Sequence, residues 1–183
     1  MSTQERWLKH YYFARAAFSF AWVALALTLG RQSAAIAGAL LVAYPAWDAL
    51  ANFVDASRSG GLSANATQKF NVWASFATTL AVAVAIASSM NAVLAVFGAW
   101  AIVAGLLQLA TALRRWKTQG AQWAMVLSGG QSALAGGLFI FQASTPMTPS
   151  IANVAGYAGV GAAYFLVSAV WLAVSHARAR AAA

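Results

Sequence analysis

Cysteine is absent from this chain of 183 residues. That excludes a disulfide framework, thiol chemistry and any thiolate metal site. Acids are nearly as scarce: Glu5, Asp48 and Asp55 are the whole supply, and His10 and His176 are the only histidines. Neither histidine stands at ligand spacing from the other or from an acid on one helix, so no metal site is expected. Serine and threonine are common but have no evident base beside them, which leaves nucleophilic catalysis unsupplied. The expectation is a protein that is not an enzyme, with no catalytic residue and no cofactor. Charge of either sign is thin as well. Charged residues make up 8%, against about 25% in soluble domains, too few to solvate a globular surface.

What fills the chain instead is apolar, with 62% of residues hydrophobic. They fall into runs of about 20, the length that crosses a hydrocarbon core of roughly 30 Å as a helix. Six spans are predicted, at about 13–30, 34–54, 70–90, 92–113, 121–143 and 149–175. The predicted fold is therefore all-α, an integral membrane bundle of six transmembrane helices forming one membrane domain over residues 1–183. Ser2-Thr3-Gln4-Glu5 fits a capping box ahead of the first span, and Trp7, Tyr11 and Tyr12 suit headgroup depth. Arg6, Lys9 and Arg15 before an apolar run also fit a secretory signal. Arg15 lies within reach of that run, however, and the run passes into a second one after Arg31-Gln32-Ser33, so a retained span is expected. Pro45 sits inside span two and should kink it. The loop 55–69 is polar and rich in Gly and Ser, hence flexible. Thr148 is expected to cap span six, with Pro149 as its first helical residue.

Ten of the eleven lysines and arginines flank the spans on one side, and only Arg31 lies on the other. Basic loops stay in the cytoplasm, so both termini are expected there. The glycosylation sequon Asn65-Ala66-Thr67 then faces the cytoplasm and is read as chance. Trp7, Trp73, Trp116, Trp123 and Trp171 fall near the same side as an aromatic belt. This distribution sets the net charge of +8 against anionic headgroups. The lipid bilayer is the expected partner, and nucleic acid is not. Gly38, Gly98 and Gly156 recur at similar places in spans two, four and six. The natural description is three helical hairpins, spans one–two, three–four and five–six; repeats of this kind are common in transport folds but serve any bundle.

The stretch from Gly98 to Gly137 carries a helix with Gly98 and Gly105, a basic turn at Arg114-Arg115-Trp116-Lys117, and a second helix with Gly130 and Gly137. Over residues 92–143 it resembles the bacterial short-repeat membrane family that includes the HdeD-like acid-resistance proteins. The resemblance implies a six-span protein of the bacterial inner membrane, an association with acid or envelope stress, and no established catalytic residues. Pro45 and Asp48 inside span two, and the long second loop, depart from the family pattern.

Candidate sites come from small and polar residues at helical spacing. Gly129, Ala133 and Gly137, and Ala155, Gly159 and Ala163, form small-residue ladders that let helices approach closely, within one chain or across a homo-oligomer. On span six, Asn153, Tyr157, Tyr164, Ser168, Trp171 and Ser175 share one face, predicted to point into the bundle. Gln108, Thr111 and Arg115 make a shorter stripe on span four, and Ser128 with Gln131 another on span five. Such stripes hydrogen-bond neighbouring helices or line a path for a solute or protons. Asp48 lies about 10 Å deeper than Asp55 along span two, with Tyr44 and Asn52 on the same face. An ionised carboxylate there costs several kcal/mol unless paired. In a hairpin centred between Arg31 and Gln32, Arg15 falls at the level of Asp48. An intramembrane ion pair of Arg15 and Asp48 is predicted, its hydrogen bonds completed by Tyr44 or Asn52.

Overall fold

A computed structural model describes residues 3–115 and 122–181. The readings placed on Ser2, on Trp116 and Lys117 of the basic turn, and on Ala121 at the start of span five lie outside the described residues. So do the side chains of Glu5, Arg114, Arg115, Trp123, His176 and Arg180. The described chain is all-α: α1 (Thr3–Leu27), α2 (Leu29–Gln32), α3 (Ala34–Arg58), α4 (Ala66–Ala85), α5 (Met90–Arg115), α6 (Gln122–Ala143) and α7 (Ile151–Ala181). The single turn α2 continues α1 past a break at Thr28, whose hydroxyl donates back to the Ala24 carbonyl at 2.7 Å. The remaining six are long helices. Arg6–Gln32, Ala34–Arg58, Met90–Leu113 and Ile151–Ser175 are long and apolar enough to cross a membrane. The helices α4 and α6, of 20 and 22 residues, fall outside that set although about 1.5 Å per residue makes them roughly 30 Å long. Gln68 and Asn71 dilute the apolar run of α4, and α6 carries Ser128, Gln131 and Ser132; all five line an internal cleft.

Side-chain caps set several helix starts that the apolar runs do not show. Asn65 Oδ1 accepts the Gln68 N–H at 3.1 Å, so α4 begins inside the predicted loop 55–69. The connection that remains is tight, with Gly60 and Gly61 at φ of 97° and 88°, a left-handed conformation open to glycine. Ser89 Oγ accepts the Ala92 N–H at 3.1 Å and starts α5 at Met90, so span three ends earlier than predicted. Thr148 does not cap the last helix and Pro149 precedes it. Ser150 is the cap: its Oγ accepts the Ala152 N–H at 3.3 Å, while Asn153 Oδ1 accepts the Ser150 N–H at 2.9 Å. That reciprocal pair satisfies two groups where Thr148 would satisfy one.

The closest helix pairs are α5 with α6, α1 with α7, and α3 with α4. The expected one–two, three–four and five–six hairpins are joined by short turns but are not the tightest contacts. Residue size explains the difference. Between α5 and α6, a Cβ on Gly105 would sit 2.5 Å from the Gly129 carbonyl oxygen, and one on Gly129 would sit 2.8 Å from that of Gly105. Gly98 and Gly136 repeat this reciprocal contact at 2.8 and 2.5 Å. The packing glycines of α6 are thus Gly129 and Gly136, and positions Gly130 and Gly137 are open. At the α1–α7 pair, α1 buries Ala16, Ser19 and Ala26, and α7 buries Ala155, Ala158, Ala162 and Ala169. The predicted ladder keeps Ala155 but not Ala163, which is exposed.

By contrast α1 meets α3 through rings, Phe18 on Trp47 at 4.4 Å and Trp22 on Tyr44 at 4.7 Å between centroids. Those rings hold the two backbones apart. Pro45 leaves the Leu41 carbonyl without its helical donor, and beside it the Leu40 carbonyl accepts the Trp22 indole N–H at 2.7 Å. The buried core, including Leu41, Val82, Leu94, Phe97 and Val154, fills the end of the bundle near the α4–α5 turn. Large apolar side chains such as Val84, Leu134 and Phe141 point outward, an arrangement suited to hydrocarbon rather than water.

Candidate functional site

Between the tight pairs lies a cleft of about 820 Å³, lined from α1, α3, α4, α5, α6 and α7. Its mouth is at the end carrying the α3–α4 connection, where Asp55, Asn65, Thr67 and Gln68 line it, and its floor is Tyr44, Trp100 and Tyr157. About seven helical residues separate the Asp55 and Asp48 levels, a depth of roughly 10 Å.

At the floor Arg15 and Asp48 form an ion pair, their side chains 11% and 16% exposed. The pair is embedded on both sides. Arg15 donates to the Tyr11 hydroxyl at 3.0 Å, and its guanidinium carbon lies 4.3 Å from the Phe165 ring centroid. The other carboxylate oxygen of Asp48 accepts Asn52 Nδ2 at 2.9 Å and Ser75 Oγ at 2.7 Å. The Trp100 indole N–H in turn donates to Ser75 Oγ at 3.2 Å. Further round, Gln108 Nε2 donates to Ser128 Oγ at 3.3 Å and the Tyr157 hydroxyl to Ser132 Oγ at 3.3 Å. The polar contacts therefore run from α1 through α3 and α4 to α5, and separately join α5 to α6 and α6 to α7. Each crosses the boundary between helices whose backbones stand apart or lines the space they leave.

Nearer the mouth, Asp55 accepts the Trp7 indole N–H at 2.9 Å and Gln68 Nε2 at 2.6 Å. The walls between mouth and floor carry Asn71, Gln131, Tyr164 and Ser168, whose side chains make no hydrogen bond within the described residues. Free amides and hydroxyls in a cleft are able to bind a polar solute directly.

Of the residues expected in the interior stripe, Tyr44, Asn52, Gln108, Tyr157, Tyr164 and Ser168 line the cleft together with Arg15 and Asp48. Asn153 does not. It sits at the opposite end, as the capping partner of Ser150, and its Nδ2 donates to Gln142 Oε1 at 3.0 Å. Trp171 and Ser175 are exposed; they lie past Ser168, the last lining residue of α7. Tyr44 is not a hydrogen-bond partner of Asp48; its ring packs on Trp22 and Trp100 at the floor of the cleft. The sequence reading missed Tyr11 and Phe165, which line the cleft, and the buried Ser75, which bonds to Asp48 from outside the lining. For Ser75 a signal existed: Gln68, Asn71, Ser75 and Thr78 recur every three or four residues, a helical stripe.

An all-α bundle with an apolar outside and a polar cleft inside defines a class, that of helical membrane proteins. Within it, residues 72–141 match the family described as a short repeat of unknown function (DUF308). The resemblance to a short-repeat family is thus shown for this segment, which takes in most of α4, all of α5, nearly all of α6 and both glycine pairs. It begins earlier than the predicted stretch 92–143. No curated protein and no solved structure matches the chain.

Proposed function

We propose that this is a six-span protein of the bacterial inner membrane, with both termini in the cytoplasm, that takes a small polar solute into the cleft from the cytoplasmic side as a transporter or channel. The reading includes no chemistry on the solute. The observation that carries it is the cleft. Polar groups inside a membrane bundle are costly and mark solute or ion pathways. A volume of about 820 Å³ falls within the roughly 300–1,000 Å³ of small-molecule sites, and the side chains of Asn71, Gln131, Tyr164 and Ser168 have no hydrogen-bond partner among the described residues. Self-association through outward small residues of α6, Gly130 and Gly137, is compatible with this arrangement.

A protective role under acid or envelope stress is the second reading. It is favoured by the family resemblance and by two carboxylates, Asp48 and Asp55, lining one cleft. Reconstitution separates the two. Vesicles holding the full chain are loaded with labelled small polar solutes, neutral, cationic and anionic. The transport reading expects saturable, protein-dependent release of at least one, suppressed by Gln131→Trp, which narrows the cleft. Vesicles as tight as protein-free ones for every class would overturn transport. Tight vesicles combined with poorer survival of low pH by cells lacking the protein would support the protective role.

A further inference from the structure

Among the described residues, the charged side chains lining the cleft are Arg15, Asp48 and Asp55. Arg15 and Asp48 neutralise each other at the floor. Asp55 is left over, because both of its oxygens accept from neutral donors, Trp7 and Gln68. Arg58, one turn further along α3, does not reach it as an ion pair. Its guanidinium is seated instead on the Trp7 ring, 4.4 Å from the centroid. A carboxylate thus stands at the mouth with no cation bound to it among the described residues.

Below Asp55 the wall is aromatic. The Tyr11 and Tyr12 rings lie 5.6 Å apart, and Tyr12 stacks on Phe165 at 6.2 Å. Ring faces attract cations and a low-dielectric surround strengthens that attraction. The floor already shows the chemistry at work, since the Arg15 guanidinium rests between a carboxylate and the rings of Phe165 and Tyr11. Among the described lining residues an anion would find no uncommitted positive group, since Arg15 is paired with Asp48. A cleft lined by one sign of net charge concentrates the opposite sign. Resting on the solute-cleft reading above, the geometry points to a small organic monocation, a protonated amine or guanidinium, as the solute. Asp55 holds it at the mouth, and the tyrosine rings with the free amides of Asn71 and Gln131 hold it below.

Calorimetry on the full chain in detergent tests this with three probes: methylguanidinium, its nearly isosteric neutral counterpart methylurea, and acetate. Methylguanidinium is expected to bind, methylurea to bind more weakly, and acetate not at all. Asp55→Asn keeps the side-chain shape and should weaken methylguanidinium about tenfold, the scale of one charge-assisted hydrogen bond, while leaving methylurea unchanged. Asp55→Glu should restore the cation. Methylurea binding as tightly as methylguanidinium, or an unchanged cation affinity in Asp55→Asn, would overturn the cation assignment and leave the solute cleft standing. Failure of all three probes on the unaltered chain would count against both. If Asp55→Asn does not fold, the comparison of the two isosteric probes on the unaltered chain decides alone.

Discussion

Arg15 makes an ion pair, a hydrogen bond and a ring contact at once, on three different helices. Removing it strands Asp48, and removing Asp48 strands Arg15. Breaking a buried pair from one side costs about 3–5 kcal/mol, whereas removing both partners costs much less. Arg15→Gln and Asp48→Asn should therefore each lower the unfolding temperature in detergent sharply, and the double variant should be less destabilised than the two losses added. Strictly additive losses would deny the pairing. Ser75→Ala removes one donor to Asp48 and leaves Asn52 and Arg15 in place, so a smaller loss of about 1–3 kcal/mol is expected. The level of Arg15 against Asp48 was legible by counting residues outward from the turn, because an antiparallel hairpin has a fixed rise. The polar stripe of α4 marked Ser75's face but not its bond to Asp48, because hydroxyls in an apolar helix usually bond back to their own backbone. Its neighbours Thr78 and Thr79 do so, to the Ala74 and Ser75 carbonyls at 2.8 Å each.

The α5–α6 pair is set by its smallest residues. At Gly98, Gly105, Gly129 and Gly136 an added methyl meets backbone, which cannot rotate away. Gly105→Ala or Gly136→Ala should cost about 1–3 kcal/mol, the range for overpacking a close contact. Gly130→Ala and Gly137→Ala face open space and should be neutral or slightly stabilising, since alanine favours the helix. Thermal unfolding of the four single variants checks this; equal effects at all four would contradict the α5–α6 packing. The existence of both helices was plain from their apolar runs. The face each turns inward was not, because α6 carries adjacent glycines at 129–130 and 136–137, and a one-residue choice rotates the contact by about 100°. Helix starts were legible only where a cap side chain stood out. The pair Ser150 and Asn153 was obscured by the Thr148-Pro149 signal, and Asn153 was misread as an interior group for the same reason.

Over the whole molecule, small residues draw α1 to α7 and α5 to α6, α3 pairs closely with α4, and bulky rings keep α1 from closing on α3. The space left in the middle is polar because α4 and α6 contribute Gln68, Asn71, Ser128, Gln131 and Ser132 to it. Composition made the membrane class legible. The cleft was visible only as separate stripes, since no one-dimensional pattern states which stripes converge. The proposed orientation has its own check: a reporter fused at the C-terminus that works only in the periplasm should stay inactive, and activity would reverse the topology. The central claim is that the bundle holds a water-accessible cleft open to one side. The natural absence of cysteine makes a single introduced thiol a clean probe. Gln131→Cys lies in the cleft and Leu134→Cys, on the same helix, points outward with 73% exposure. With a membrane-impermeant maleimide, Gln131→Cys should react when the reagent is on the cytoplasmic side and not from the other, while Leu134→Cys, covered by lipid, should react from neither. Protection of Gln131→Cys from both sides, or labelling of Leu134→Cys at the same rate, would contradict the account.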